Sequence, residues 1–253
     1  MSKQLENAKN LYIRGLQEGE IKEVHENYMG NTYTQHSTGV PDEKEGFAKF
    51  FEDFFKRNPK RKMNIVRAIE DENFVFLHVH QYLNDGETQW ITADIFKSDE
   101  SGRIIEHWDV IDEYPKEIKG LDPIYGSFEI SELDNAEKNK KIIRRFLVEV
   151  LQNKEFERFE NYVEDTLIQH NQNIEQGGKA YKKYLLENNV SYDFVFKVIG
   201  QGDYVVAYSK VFIDKQDYAQ FDIYRLKNGK IAEHWDNKEA IPDKYDLTNL
   251  GKF

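Results

Sequence analysis

Apolar residues recur with two different periods along this 253-residue chain, and the succession of periods occurs twice. Leu5, Ala8, Leu11, Tyr12 and Leu16 lie three or four residues apart before Gly19, the spacing of one helical face. Phe47, Phe50, Phe51, Phe54 and Phe55 repeat that spacing after a short extended segment at 33–36. The period then changes to two: residues 63–69, 74–83, 89–96 and 103–111 alternate as strands, separated by Asp, Asn, Gly and Glu turns. In the second half, Asp134 and Glu137 stand at capping-box spacing before the helical stripe Ile142, Ile143, Phe146, Leu147, Val150 and Leu151. An extended segment at 167–170 and alternating runs at 192–199, 204–213, 218–226 and 230–235 follow. Helices first and an antiparallel meander afterwards predict an α+β fold, because βαβ units would alternate the two periods.

Four stations match between the halves in one order. Gln35-His36-Ser37 returns as Gln169-His170-Asn171, and Phe47, Phe50 and Phe51 return as Tyr181, Tyr184 and Leu185. Asp94-Ile95-Phe96 returns as Asp222-Ile223-Tyr224, and GRIIEHWD at 102–109 returns as GKIAEHWD at 229–236. This self-similarity predicts a tandem duplication. Pro115, Gly120, Pro123 and Gly126 fall in a stretch with no sustained period, so the expected organisation is a first copy at 1–118, a linker at 119–133 and a second copy at 134–253. An exposed antiparallel face commonly finds a partner, so the joined copies are expected to pack as an intramolecular pseudo-dimer, with further homo-oligomerisation left open.

Composition narrows the partners. Hydrophobic residues make up 39% and aromatic residues 14%, enough for a packed core in each half. A formal charge of −11 argues against nucleic acid and anionic membrane as main partners, since both select a basic face. The basic run Lys56, Arg57, Lys60, Arg61 and Lys62 is broken by Pro59 and reads as a solvated loop. There is no cysteine, which removes disulfides, thiolate metal sites and cysteine nucleophiles. The amphipathic start lacks the continuous apolar core of a signal peptide, and no run has the length of a membrane helix, so a cytoplasmic location is expected.

The order of elements, the Gln-His step on the first short strand, and above all the twice-occurring D-I-[FY] followed by G-[RK]-I-x-E-H-W-D resemble the SnoaL-like, polyketide cyclase-like branch of the nuclear transport factor 2-like superfamily. The resemblance covers almost the whole chain apart from the linker and the last residues. It implies two tandem cone-shaped domains, each with N-terminal helices packed on a curved antiparallel sheet around a mostly apolar pocket. The superfamily includes cyclases, ketosteroid isomerases, epoxide hydrolases, dehydratases and members without known chemistry, so fold constrains function weakly. In the polyketide cyclases an aspartate on the last strand is the acid/base, and the resemblance carries that role to Asp109 and Asp236, with Asp94 and Asp222 on the preceding strand.

Strand alternation alone puts Ile105, His107 and Asp109 on one face of the last strand, opposite Glu106, Trp108 and Val110, and does the same for His234 and Asp236. A histidine and a carboxylate about 7 Å apart along a strand could flank a small substrate. Burial raises a carboxylate's pKa toward neutrality, and imidazole titrates there unaided, which suits cyclisation, enolisation or isomerisation without metal or redox cofactor. The same pairs would also serve as plain structural hydrogen bonds. His36 and His170 either bind a substrate carbonyl at the pocket mouth or tie their loop to a neighbouring carboxylate. Asp94 and Asp222 are expected to support a histidine, because their strand pairs with the last one.

His78 and His80 share a strand face with Phe74, Phe76 and Tyr82, which makes a histidine-rich metal pocket conceivable. The second copy carries Tyr208 and Lys210 there, which counts against it, and no metal is expected. His78, His80, Trp90, Tyr208 and Tyr218 are candidate substrate contacts, and their divergence between copies predicts two pockets of different shape and charge. Trp108 and Trp235 are expected on the opposite side of the sheet. The expected ligand is a small apolar molecule, handled either by an acid/base cyclase, isomerase or lyase, or by a non-catalytic binding or scaffolding protein. Epoxide hydrolysis is weaker, because in this superfamily it uses an arginine with two aspartates and the candidate strand face holds no arginine.

Overall fold

The computed structural model describes residues 1–253, the side chain of Tyr245 excepted. The chain divides into two compact units: Met1–Tyr114 with Pro242–Phe253, and Pro115–Ile241. The expected boundaries therefore shift, because the 115–133 stretch packs into the second unit and the segment after the last strand packs into the first. Ser131 N–H bonds Asp203 and Asp122 accepts from His170, which anchors the former. Asn249 donates to the carbonyls of Ser37 and Val40, which anchors the latter.

In the first unit α1 (Lys3–Asn10), capped by the Ser2 hydroxyl on Leu5 N–H, continues as π-helical turns over Leu11–Gln17. A short α2 (Ile21–Glu23) leads to β1 (Met29–Gln35). α3 (Glu43–Arg57) has acidic residues in its first turn and basic ones in its last, matching the helix dipole, and buries Phe47 and Phe54. β2 (Arg61–Asp71), β3 (Phe74–Leu83), β4 (Thr88–Ser98) and β5 (Ile104–Glu113) complete the sheet. The second unit repeats the series: α4 (Ala136–Arg145) with π-helical Phe146–Gln152, α5 (Phe159–Tyr162), β6 (Val163–Gln169), α6 (Gly178–Glu187), β7 (Ser191–Gln201), β8 (Tyr204–Ile213), β9 (Gln216–Lys227) and β10 (Lys230–Ala240).

The strand orders β1-β5-β4-β3-β2 and β6-β10-β9-β8-β7 are the same arrangement twice. Two like sheets with helices before each make this an α+β fold in which one arrangement occurs twice. The sheets are mixed rather than purely antiparallel, since β1 runs parallel to β5 and β6 to β10. Each core lies between helices and one sheet face, and the stripes Leu11, Tyr12, Leu16 and Phe146, Leu147, Val150, Leu151 belong to them.

Two local expectations change. Asp134 lies in a 3-10 turn, the N-cap is Asn135, and no capping side-chain bond forms, so the capping box is absent; Glu137 pairs with Lys140 instead. On β5, Lys97 pairs with Glu106 but Ser98 with Ile104, so Ile105 is an extra residue, a bulge. The bulge puts Ile104, not Ile105, in the core on the side of His107. The second unit repeats it between Ile231 and Glu233. Before each bulge, Gly102 and Gly229 take φ of +81°, which glycine adopts without strain.

Candidate functional site in the first unit

Parallel pairing of β1 with β5 sets Gln35 beside His107, and antiparallel pairing of β4 with β5 sets Asp94 across from Asp109. The Gln35 side-chain oxygen accepts from the backbone N–H of His36 and of Ser37, each at 3.0 Å, while its amide nitrogen donates to Tyr33. That orientation turns the amide oxygen toward His107 Nδ1 at 2.9 Å, so Nδ1 carries a proton and donates. His107 Nε2 lies 2.9 Å from Asp94 Oδ1.

A chain of donors converges on the same carboxylate. Gln81 donates to Thr92 at 3.3 Å, the Thr92 and Tyr12 hydroxyls are 2.8 Å apart, and Tyr12 donates to Asp94 Oδ2 at 2.7 Å. Burial pushes the Asp94 carboxyl above its ordinary range, and the His107 and Tyr12 bonds only partly oppose it. Asp109 goes the other way. Burial would raise it, but the Lys252 ammonium, the neighbouring His107 and the Ser37 hydroxyl together hold it below the usual carboxylate range. Lys252 Nζ is 3.2 Å from Asp109 Oδ1 and Ser37 Oγ is 2.6 Å from Oδ2. The expectation that burial lifts the last-strand aspartate thus fails for Asp109 and holds instead for Asp94.

These groups form one end of a cavity of about 480 Å³. Its walls are aromatic and aliphatic: Phe47, Phe50, Phe51 and Phe54 from α3, Trp90 and Phe96 from β4, Leu11 and Leu16 from the first helix. Arg57 and Asn58, where α3 ends, also line it. Arg57 was not among the expected site residues, because strand alternation carries no information about a helix end that folds back over the sheet.

In the second unit the corresponding space is about 10 Å³, on the order of one water. Tyr181 stands for Phe47, Gln220 for Thr92, Lys238 for Ile111, and Tyr192, paired with Val211 as Met63 is with Gln81, fills from β7. His234 lies between the rings of Tyr181 and Tyr224, at 4.8 and 5.0 Å. The polar frame persists: His234 Nε2 is 3.0 Å from Asp222, Tyr192 donates to Asp222 at 2.9 Å, and the Asn171 amide reaches both oxygens of Asp236 at 2.7 Å.

The other expected residues lie elsewhere. His36 stacks on Trp108 and His170 on Trp235, at 5.0 and 4.5 Å, and each contacts a glutamate, Glu106 at 3.2 Å and Glu233 at 3.0 Å. Of the two roles open to these histidines, this geometry is the tie to a neighbouring carboxylate, and neither ring lines the first-unit cavity or its small counterpart in the second unit. Glu233 also accepts from Arg225, and against the cost of burial these bonds lower its pKa from 4.5 to about 2. His78, His80 and Tyr208 project from the face opposite the cavity, because Gln81 and Leu83 occupy the cavity face of β3. His78 contacts Arg67, His80 stacks between Tyr82 and Tyr114, and Tyr208 stacks on Phe221. Tyr218 packs at the border of the second core, while Trp90 lines the cavity. The histidine-rich pocket therefore does not assemble.

Donor atoms of Asp94, His107 and Asp109 lie within 4.8 Å of one another, as do those of Asp222, His234 and Asp236, a spacing compatible with a metal ion. In the first set each of these atoms also has a hydrogen-bond partner within the protein.

Residues 10–107 match the SnoaL-like domain family, and this part of the chain is a SnoaL-like domain. Asp94 and His107 fall inside the match, whereas Asp109 and Lys252 fall outside it. Similar solved structures include a proposed ketosteroid isomerase from Kribbella flavida, at 11% identity over 42% of this chain and 80% of its own, with a TM-score of 0.38. A proposed polyketide cyclase from Bacillus cereus shows 18% identity over 44% and 74%, with a TM-score of 0.39. An LEH-like epoxide hydrolase from M. tuberculosis shows 18% identity over 45% and 88%, with a TM-score of 0.36. No curated protein matches the chain by sequence. Among the described residues no helix is long and apolar enough to cross a membrane.

Proposed function

We propose that the first unit binds a small, mostly apolar carbonyl compound and moves a proton on it, as a cyclase, isomerase or lyase would, while the second unit is a filled copy kept for its structure. The observation that carries this reading is the contrast between a cavity of about 480 Å³ and one of about 10 Å³ around the same histidine–aspartate frame. The Asp94–His107 pair is the proton carrier in this proposal. Burial raises the Asp94 carboxyl, which favours its holding a proton beside the His107 imidazole 2.9 Å away. Asp109, held as an anion, orients the ligand and is not the shuttle that the resemblance would make it.

A second reading, binding without chemistry, is favoured by the completeness of the polar network, in which Asp94, His107 and Asp109 all have protein partners before any ligand enters. Native mass spectrometry of protein from its own host, followed by denaturation, identifies a retained molecule. Incubation with that molecule then separates the readings. Conversion that is lost in Asp94→Asn supports proton transfer, whereas an unchanged molecule supports binding alone and conversion undiminished by Asp94→Asn removes the pair from the chemistry.

A further inference from the structure

The segments that follow β5 and β10 make the same contact in different units. His170 Nδ1 donates to the carbonyl of Asp122 and His36 Nδ1 to that of Gly251, each at 2.6 Å. The contact aligns Leu121-Asp122-Pro123 with Leu250-Gly251-Lys252. At the next position the two differ: Pro123 has no side-chain donor, whereas Lys252 sends its ammonium group to the carbonyl oxygen and Oδ1 of Asp109, at 3.1 and 3.2 Å. Both partners of this ion pair are buried, with side-chain exposures of 1% and 7%. A buried ammonium is costly to desolvate and is retained where a carboxylate meets it. In the second unit the Asn171 amide donates to both oxygens of Asp236.

We propose that Lys252 is a positioning residue of the first-unit site, brought to the end of the cavity by the segment after β10 to hold Asp109 in place as a fixed anion, so that Asp94–His107 alone exchanges protons. The inference rests on the acid/base reading for its consequence, though not for its test. Lys252 is absent from the residues lining the cavity and acts through Asp109, which lines it. The same segment braces that wall a second time, since Asn249 donates to the carbonyls of Ser37 and Val40, both cavity-lining. The titratable and charged groups that bear on Asp109 are Lys252, His107 on its own strand, Asp94 on β4, Tyr33 on β1 and Tyr12 on the first helix.

The test is a pH titration of the Asp109 carboxyl carbon and the His107 ring nitrogens by NMR, in the full chain carrying isotope-labelled aspartate and histidine. In Lys252→Met the Asp109 transition is expected about 1–3 pH units higher than in the parent, and in Lys252→Arg close to the parent. An unmoved Asp109 transition in folded Lys252→Met overturns the proposal. If Lys252→Met does not fold, the double variant Lys252→Met/Asp109→Asn removes both charges and is expected to fold; a double variant as unfolded as the single one overturns it as well. The titration needs no ligand, so its failure is distinct from failure of the acid/base reading, which turnover decides.

Discussion

The two units share strand order, a bulge, a histidine–aspartate frame and a tryptophan–histidine stack, yet the space beside the frame is about 480 Å³ in one and about 10 Å³ in the other. A handful of substitutions accounts for the difference. Tyr181, Tyr192, Gln220 and Lys238 line the small space of the second unit, where the first unit has Phe47, Met63, Thr92 and Ile111 in the matching positions. Tyr192 also replaces a helical donor, since its hydroxyl bonds Asp222 from a strand, where Tyr12 bonds Asp94 from a helix. The polar frame therefore does not by itself mark a working site. It is compatible with a packed core, and the size of the space beside it is what separates the copies as candidate ligand sites.

The sharpest way to break this comparison is to disable each frame in turn. Asp94→Asn is expected to lower turnover of the retained ligand by about 10²–10⁴-fold, the usual worth of a positioned acid/base. Asp222→Asn should leave turnover within about twofold, because the second frame has no room for a ligand. Equal losses in both variants would make the second unit a working site.

The next effect is on stability. Glu233 is buried with Arg225 and His170, and removing one member of such a cluster costs about 3–5 kcal/mol. Its counterpart Glu106 is more exposed, pairing with Lys97 and His36, so Glu106→Gln should cost about 1 kcal/mol or less. Urea unfolding followed by tryptophan fluorescence compares them. Because the folded pKa of Glu233 lies below its ordinary value, its contribution is fully present above about pH 4.5 and is lost as pH falls toward 2. Glu233→Gln should flatten the stability profile in that window.

A smaller effect sharpens the role of shape. Thr92→Gln with Met63→Tyr gives the first unit two of the second unit's filling residues, and should weaken ligand retention about tenfold or more, since binding there depends on fitting apolar volume. The smallest expected change is for His80→Gln, which alters the face away from the cavity: retention measured by native mass spectrometry should stay within about twofold.

Much of this was legible in the chain. Periodicity located the helical stripes and the strands because each period reports a local geometry, and the repeated stations showed the duplication. Pairing of Asp94 with His107 followed from antiparallel strand order. Other features were not local. The bulge at Ile105 changes which residues share a face with no sign in the alternation itself, and which face of β3 meets the helices decided that Gln81 and not His80 reaches the cavity. Whether the last-strand aspartate is raised or lowered depended on Lys252, 143 residues away. Sequence alone determined the elements, their order and the polar frame, since these follow from backbone period and neighbouring strands. Tertiary structure decided volume and charge, since an empty space and a carboxylate's ionisation are set by whichever distant side chains arrive beside them.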